Sequence, residues 1–271
     1  MTTFTSVLCA LDAAHDAARV LRHAVGMAGL CDARLTVISV TRDDVRAADA
    51  RVRRQIAEAV PAGAFYPADV SVRIVKLALG QAVDSLLDAA KDGVDLIVVG
   101  THSKSGLSRW LLGSTSAALM RETVCPLLLV PPGQVEVVRL EADRATLGPG
   151  PILVAVDLSE HNDAQLAIAG WLAARSGQPL VAMTSVPQGT DPAGAEAALR
   201  THFSPSLQAV VDRFVVHQGA VADAIDRAVL EEKAGLVVMG LRERGERGEV
   251  ARAVLKTGDA VVLAVPPTPR V

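Results

Sequence analysis

Aromatic residues are scarce in this chain of 271, with two Trp, one Tyr and four Phe. A core must therefore be assembled from Ala, Val and Leu, as in helices packed on a parallel sheet and unlike an aromatic-rich β-sandwich. Cysteine is also rare. Cys9, Cys31 and Cys125 lie far apart without CxxC spacing. Cys9 and Cys125 fall in apolar segments, so they read as buried thiols of a reducing compartment. A basic excess is missing, since 27 Lys and Arg face 30 Asp and Glu for a formal net charge of -3. That balance argues against a dedicated nucleic-acid binder. No apolar run reaches the roughly 18–20 residues that span a bilayer. The N-terminal "MTTFTSVLCALDAAHD" lacks the basic start and long apolar run of a signal peptide. A cytoplasmic protein with no membrane segment is the expectation. The familiar phosphate and catalytic motifs are missing too: no GxxxxGK[ST] loop, no GxGxxG after a strand and no GxSxG elbow. The six histidines show no metal-ligand spacing with Cys or carboxylates.

What is present is a repeat. "SVLCALD" (6–12) matches "PILVAVD" (151–157), each an apolar strand ending in an aspartate, Asp12 and Asp157. "LTVISV" (35–40) parallels "VAMTSV" (181–186), "VDLIVVG" (94–100) parallels "AGLVVMG" (234–240), and "LLLVPP" (127–132) parallels "VLAVPP" (262–267). Four landmarks in one order are a tandem duplication. Each half alternates short Val/Leu/Ile runs with Ala-rich segments of helical period, the pattern of βαβ units. In the first half this predicts strands near 6–11, 34–40, 70–76, 95–100 and 126–131, and helices near 14–30, 43–59, 80–92 and 113–123. The first helix carries one apolar stripe of Ala17, Val20, Leu21, Ala24, Val25 and Ala28. Strands apolar along their whole length, joined by right-handed crossovers, form an open doubly wound α/β sheet. "EADRATLGPGP" (141–151) reads as a linker, so domains at 1–140 and 150–271 are expected. Trp171 reads as core or domain-interface packing. Residues 191–206, with Gly and Pro around a helical patch, read as a connector with a short helix.

Ligands of such sheets bind beyond the carboxyl ends of the strands, and "DLIVVGTHSKSGLSRWLLGSTSAALMRETVCPLLLVPP" (95–132) crosses that end. Its strand delivers Gly100, a loop follows, and Gly113–Ser114 opens a helix. A helix N-terminus offers unpaired N–H groups and partial positive charge to an anion. Gly113 admits a phosphate close to the backbone, Ser114 adds a hydroxyl, and Lys104 and Arg109 add charge. Asp12 can hold a ribose hydroxyl or a metal on the phosphates. The same glycines also suit a simple turn and cap.

These residues resemble the universal stress protein family in its tandem two-domain form, over essentially the whole chain. ATP-binding members of that family carry Gly, two residues, Gly, nine residues, Gly and then Ser or Thr. Here Gly100, Ser103, Gly113 and Ser114 match the spacing, with Ser103 in place of the second glycine. The resemblance implies two five-stranded, Rossmann-like parallel sheets of order 3-2-1-4-5. It implies a site in which Asp12 and Val40 contact adenosine. Val99, Gly100 and His102, with the Gly113–Ser114–Thr115 turn, would surround ribose and phosphates, and Ser103 would sit against the triphosphate. A Cβ at Ser103 can crowd the phosphates, or its hydroxyl can bond one. The ligand implied is ATP, with or without Mg, bound for regulation with at most slow hydrolysis; no catalytic residue and no protein-bound metal is assigned. The family also implies pairing of the two halves through their last strands (127–130 and 262–265), leaving a homodimer open. The alternatives are a nucleotide-independent scaffold acting through protein contacts, and an enzyme using Asp12 and Lys104 in phosphoryl or nucleotidyl transfer. No second substrate site marks the last.

The second half departs from the pattern. Aligned back from "AVPP", Gly248 falls opposite Gly113 and Glu249 opposite Ser114, so a carboxylate stands where a phosphate needs a donor. Seven residues lie between Gly240 and Gly248, against twelve between Gly100 and Gly113. The second half is expected to bind ATP poorly or not at all.

Overall fold

The computed structural model describes residues 4–11, 17–42, 44–76, 82–91, 93–101, 113–132, 136–160, 163–241 and 248–267. They divide into two compact units, one reaching Pro132 and adding Glu136–Gly148, the other starting at Pro149.

The first unit alternates strand and helix: β1 (Ser6–Leu11), α1 (Ala17–Cys31), β2 (Arg34–Thr41), α2 (Val45–Ala59), β3 (Val70–Lys76), α3 (Ala82–Lys91), β4 (Leu96–Gly100), α4 (Ser114–Glu122) and β5 (Leu127–Val130). All neighbouring strands of its sheet are parallel, in the order β3-β2-β1-β4-β5. Every residue of β1 and β5 is buried, whereas edge strand β3 is buried at no position. Apolar runs without alternation are what strands covered on both faces require. Helix starts follow local chemistry: Asp44 caps α2 by accepting the Ala47 N–H at 2.9 Å.

The stripe expected on α1 is too narrow. Val20 is half-buried, but His23, Gly26, Met27, Leu30 and Cys31 are buried in addition to the remaining stripe residues. Besides the sheet, α1 is packed against α2 and against an antiparallel hairpin, β6 (Val138–Leu140) and β7 (Ala145–Leu147), which covers His23 and Gly26. Part of the segment read as a linker is thus folded: Glu141 N–H donates to Arg144 O at 2.9 Å and Gly148 N–H to Val137 O at 2.9 Å. Its "ATL" pairs as a strand because Ala145 and Leu147 both bury against the unit. The charges around them had concealed two apolar positions at period 2.

The second unit repeats the plan with β8 (Ile152–Ala155), α5 (Asp163–Ser176), β9 (Leu180–Val186), α6 (Pro192–Thr201), α7 (Pro205–Gln208), β10 (Arg213–Gln218), α8 (Val221–Glu232), β11 (Leu236–Gly240), α9 (Glu249–Thr257) and β12 (Val261–Val265). Its order, β10-β9-β8-β11-β12, is again 3-2-1-4-5 and parallel throughout. Residues 191–206 supply α6 and the start of α7. Asp191 accepts the Gly194 N–H at 2.9 Å and Pro192 sets the first helical position. Phe203 is buried edge-on to the half-buried Phe214, with Arg200 4.0 Å above the latter ring. Trp171, on α5, is half-buried. The three cysteines are buried and form no disulfide, and burial pushes Cys9 up to about 12. Among the described residues no helix is long and apolar enough to cross a membrane.

Candidate functional site

The carboxyl end of the first sheet is built from β4 outward. Val99 is buried beside Ala10 of β1, and Gly100 lies beside Val130 of β5. A Cβ on Gly100 would stand 3.0 Å from Val20 Cγ2 of α1, tight enough to push that side chain. Thr101 N–H donates to Val130 O at 3.1 Å, and Gly113 N–H returns to Thr101 O at 3.0 Å. Thr101 and Gly113 therefore meet at one hydrogen-bonded neck. Ser116 Oγ, itself buried, donates to Gly100 O at 2.7 Å and ties the first turn of α4 to the end of β4.

Gly113 caps α4 with φ -59° and ψ 145°, an ordinary extended conformation that demands no glycine. What the glycine contributes is absence: it has no side chain to satisfy the helix. The first helical bond is Ala117 N–H to Gly113 O at 2.9 Å, so the N–H groups of Ser114, Thr115 and Ser116 precede the ladder. Ser114 is exposed and Thr115 half-buried. Val40, half-buried, is next to last in β2 and lies beside Val75. The structure thus brings Val99, Gly100, Gly113, Ser114 and Thr115 to one neck, with Val40 two strands away along the same edge. Asp12, His102 and Ser103, with Lys104, Arg109 and Trp110, lie outside the described residues.

Three residues escaped the sequence reading. Ser116 is the hydroxyl that fixes the neck, and only its i+2 offset from Ser114 could have pointed to it. Arg19 of α1 donates from Nη1 to Pro131 O at 3.1 Å, bringing a guanidinium to the end of β5, while its Nε is buried without a hydrogen-bond partner. Ser39, adjacent to Val40, is buried with its Oγ likewise unpartnered.

The second unit treats the same positions differently. Gly248 caps α9 in the left-handed region, φ 84°, and Glu249 follows at the first helical position. A carboxylate there stabilises the helix and repels an anion. Gln165 stands eight residues after Asp157, as Val20 stands eight after Asp12. It is buried, donates from Nε2 to Ala155 O at 2.9 Å, and sets Oε1 in the space a Cβ on Gly240 would need. Asp157 Oδ1 accepts from Ser159 N–H at 3.0 Å and from Ser159 Oγ at 2.7 Å, closing a local turn. Ser185, the counterpart of Ser39, donates to Gly219 O at 2.9 Å. Ser39 Oγ, unpartnered in the first unit, thus has an internally bonded counterpart in Ser185, while among the described residues of the second unit the buried side-chain atom without a hydrogen-bond partner is His217 Nε2 of β10. Among the described residues no group of three or more His, Cys, Asp or Glu could hold a metal ion.

Comparisons with known proteins agree with this architecture. The model of the universal stress protein family matches twice, over residues 3–131 and 149–266. A universal stress protein of Mycobacterium tuberculosis (strain ATCC 25618 / H37Rv) is 31% identical over 197 residues, 66% of this chain and 61% of that relative. A second, of Mycobacterium bovis, is 24% identical over 209 residues, 69% of this chain and 67% of the relative. The solved universal stress protein of Archaeoglobus fulgidus DSM 4304 superposes with a TM-score of 0.70 at 16% identity, covering 98% of both chains. A functionally unknown protein of Pseudomonas aeruginosa PAO1, PA1789, does so at 0.71 and 19% identity, covering 98% of this chain and 94% of that one. At such identities the two structures speak for the fold alone. With the family model matched in both halves, the chain belongs to the universal stress protein family.

Proposed function

We propose that the first unit binds an adenine nucleotide, ATP with or without Mg, and that binding is regulatory. The observation that carries this reading is the contrast between two helix starts. Gly113 leaves the N–H groups of Ser114, Thr115 and Ser116 without a capping side chain at the end of β4, whereas Gly248 is followed by Glu249. In this reading the adenosine meets Asp12 and Val40, the ribose meets Val99, Gly100 and His102, and the phosphates meet Ser103, Gly113, Ser114 and Thr115. Helix dipole and free amides favour an anion there. Chemistry beyond binding is at most a slow hydrolysis, and the nucleotide acts as a signal.

The test is titration calorimetry of the whole chain with Mg-ATP, alongside Gly113→Glu and Ser103→Gly. Wild type should release heat with one nucleotide per chain, and Gly113→Glu should release none. Absence of heat from wild type, with binding gained by Ser103→Gly, would overturn the proposal and favour a nucleotide-independent scaffold. That second reading draws on Ser103, the one departure from the spacing in the first half, and on the degenerate second half.

A further inference from the structure

The face of α1 turned away from the sheet carries a second device, unrelated to the nucleotide site. At helical spacing it presents Arg22, His23, Gly26 and Gly29, and the β6–β7 hairpin lies on them. A Cβ on Gly26 would come within 2.6 Å of Val138 Cβ, so Gly26 is what lets the hairpin approach, and one on Gly29 would meet the Phe65 ring first and Ala145 Cβ at 2.8 Å. Arg22 pairs with Glu136, its Nε donating to Oε1 at 2.9 Å, on the exposed side. Beneath this pair the imidazole of His23 is fully buried.

Both ring nitrogens of His23 are engaged. Nδ1 lies 2.8 Å from Arg19 O, and Nε2 lies 3.3 Å from the Val137 amide nitrogen. A carbonyl only accepts, so Nδ1 carries the proton; an amide only donates, so Nε2 offers its lone pair. The bonding therefore assigns the neutral Nδ1–H tautomer. A proton added at Nε2 would turn this acceptor into a second donor facing the Val137 N–H, in a buried place. Packing alone does not ask for histidine here: eleven residues after Asp157, as His23 is eleven after Asp12, the second unit places the buried Ile168.

We propose that the β6–β7 hairpin is a strap held on α1 by neutral His23, and that protonation of the imidazole releases it. Release would uncover the apolar residues Val137, Val138, Ala145 and Leu147, all buried while the strap is docked. The charges around the ring support a proton-dependent equilibrium. Burial, the largest cause, pushes His23 down to about 4 from an ordinary 6.5; the Arg19 carbonyl and the Glu136 charge push it up, and the Arg19 and Arg22 charges push it down. Arg139, Glu141, Asp143 and Arg144 of the strap are exposed. A histidine whose docked value lies below its free value stabilises docking above pH 6.5, and that contribution fades as pH falls toward 4. Between pH 7.5 and 5.0 the opening constant should rise about 30-fold.

Hydrogen exchange of the full chain, read by mass spectrometry on peptides spanning 136–148 and corrected for the intrinsic pH dependence, tests this. The strap amides of wild type should lose about 30-fold in protection between pH 7.5 and 5.0, while peptides of β9 stay constant. His23→Gln keeps an acceptor and cannot titrate, so its protection should be flat. His23→Leu has no acceptor, so its strap should be loose and equally flat. Wild-type protection that is the same at both pH values, or a His23→Gln that loses as much as wild type, would overturn the proposal. Nitrogen-resolved NMR of wild type checks it without a variant: the Nδ1–H tautomer and a titration far below 6.5 are expected, and a ring titrating near 6.5 would overturn it.

Discussion

The two units share strand order and crossover pattern, yet their carboxyl ends differ. In the first, an apolar Val20 stands beside Gly100, Ser39 Oγ and Arg19 Nε are buried without partners, and α4 starts on an uncapped glycine. In the second, Gln165 fills the corresponding space, Asp157 is bound by Ser159, Ser185 by Gly219, and Glu249 opens the helix. Buried polar groups without partners are costly, and Ser185 avoids the cost that Ser39 carries. The difference teaches that equivalent positions of one fold can be bonded internally in one copy and left open in the other.

That contrast can be broken or sharpened by substitution. The largest effects should be equal in the two units, because the shared core does not distinguish them. Leu21→Ala and Leu166→Ala, equivalent and fully or nearly fully buried, should each cost about 2–5 kcal/mol in denaturant unfolding. A difference of several kcal/mol between them would show that the cores are not equivalent. Next, Ser114→Glu gives the first unit the start of the second. It should weaken Mg-ATP binding by about 100-fold or more, through like charge at the helix start, and calorimetry reads it directly. Unchanged affinity would remove helix α4 from the site.

A smaller effect separates the glycines. Gly240→Ala must displace Gln165 from its bond to Ala155 O and should cost about 1–3 kcal/mol. Gly100→Ala only presses on Val20 Cγ2 and should cost less than about 1 kcal/mol. Thermal unfolding of the pair gives the order, and a reversed order would refute the claim that Gln165 is a plug. The smallest effect concerns Asp226, fourteen residues before Gly240, where the first unit has the buried Leu86 fourteen before Gly100. Burial, followed by Asp259 and Asp223, pushes its carboxyl up to about 6, against the opposing Thr257 hydroxyl. The folded state therefore binds this proton more tightly than the unfolded one. Its contribution is full below about 3.8 and lost as pH rises through about 6. Asp226→Asn should raise the melting temperature at pH 7 by about 1 °C, with the gain shrinking toward pH 4.5. A gain that grows with acidity would contradict the sign.

Much of this could be read from residue order alone. All five strands of the first unit lie within about one residue of their expected places; unbroken Val/Leu/Ile runs marked β1, β4 and β5, while β2 and β3 were marked by β-branched residues mixed with polar ones. Gly248 and Glu249 were correctly set opposite Gly113 and Ser114, since both glycines cap the last helix of their unit. The β6–β7 hairpin was not legible. Its six strand residues include Arg139 and Thr146, and its pairing is decided by α1, a partner more than 100 residues earlier. Ser116, Arg19 and Gln165 were missed for the same reason: a lone serine, arginine or glutamine on a helix carries no signal until the fold shows which backbone carbonyl it meets.

By itself, then, the sequence determined the duplication, the βαβ alternation and the asymmetry of the two helix starts, because those follow from hydrophobic period and from residue type at a cap. Tertiary structure alone decided that His23 is a buried acceptor, that Gln165 fills the space beside Gly240, and that residues 141–144, three of them charged, turn back between β6 and β7. Each depends on a contact between segments distant in the chain, and local propensity holds no record of such contacts.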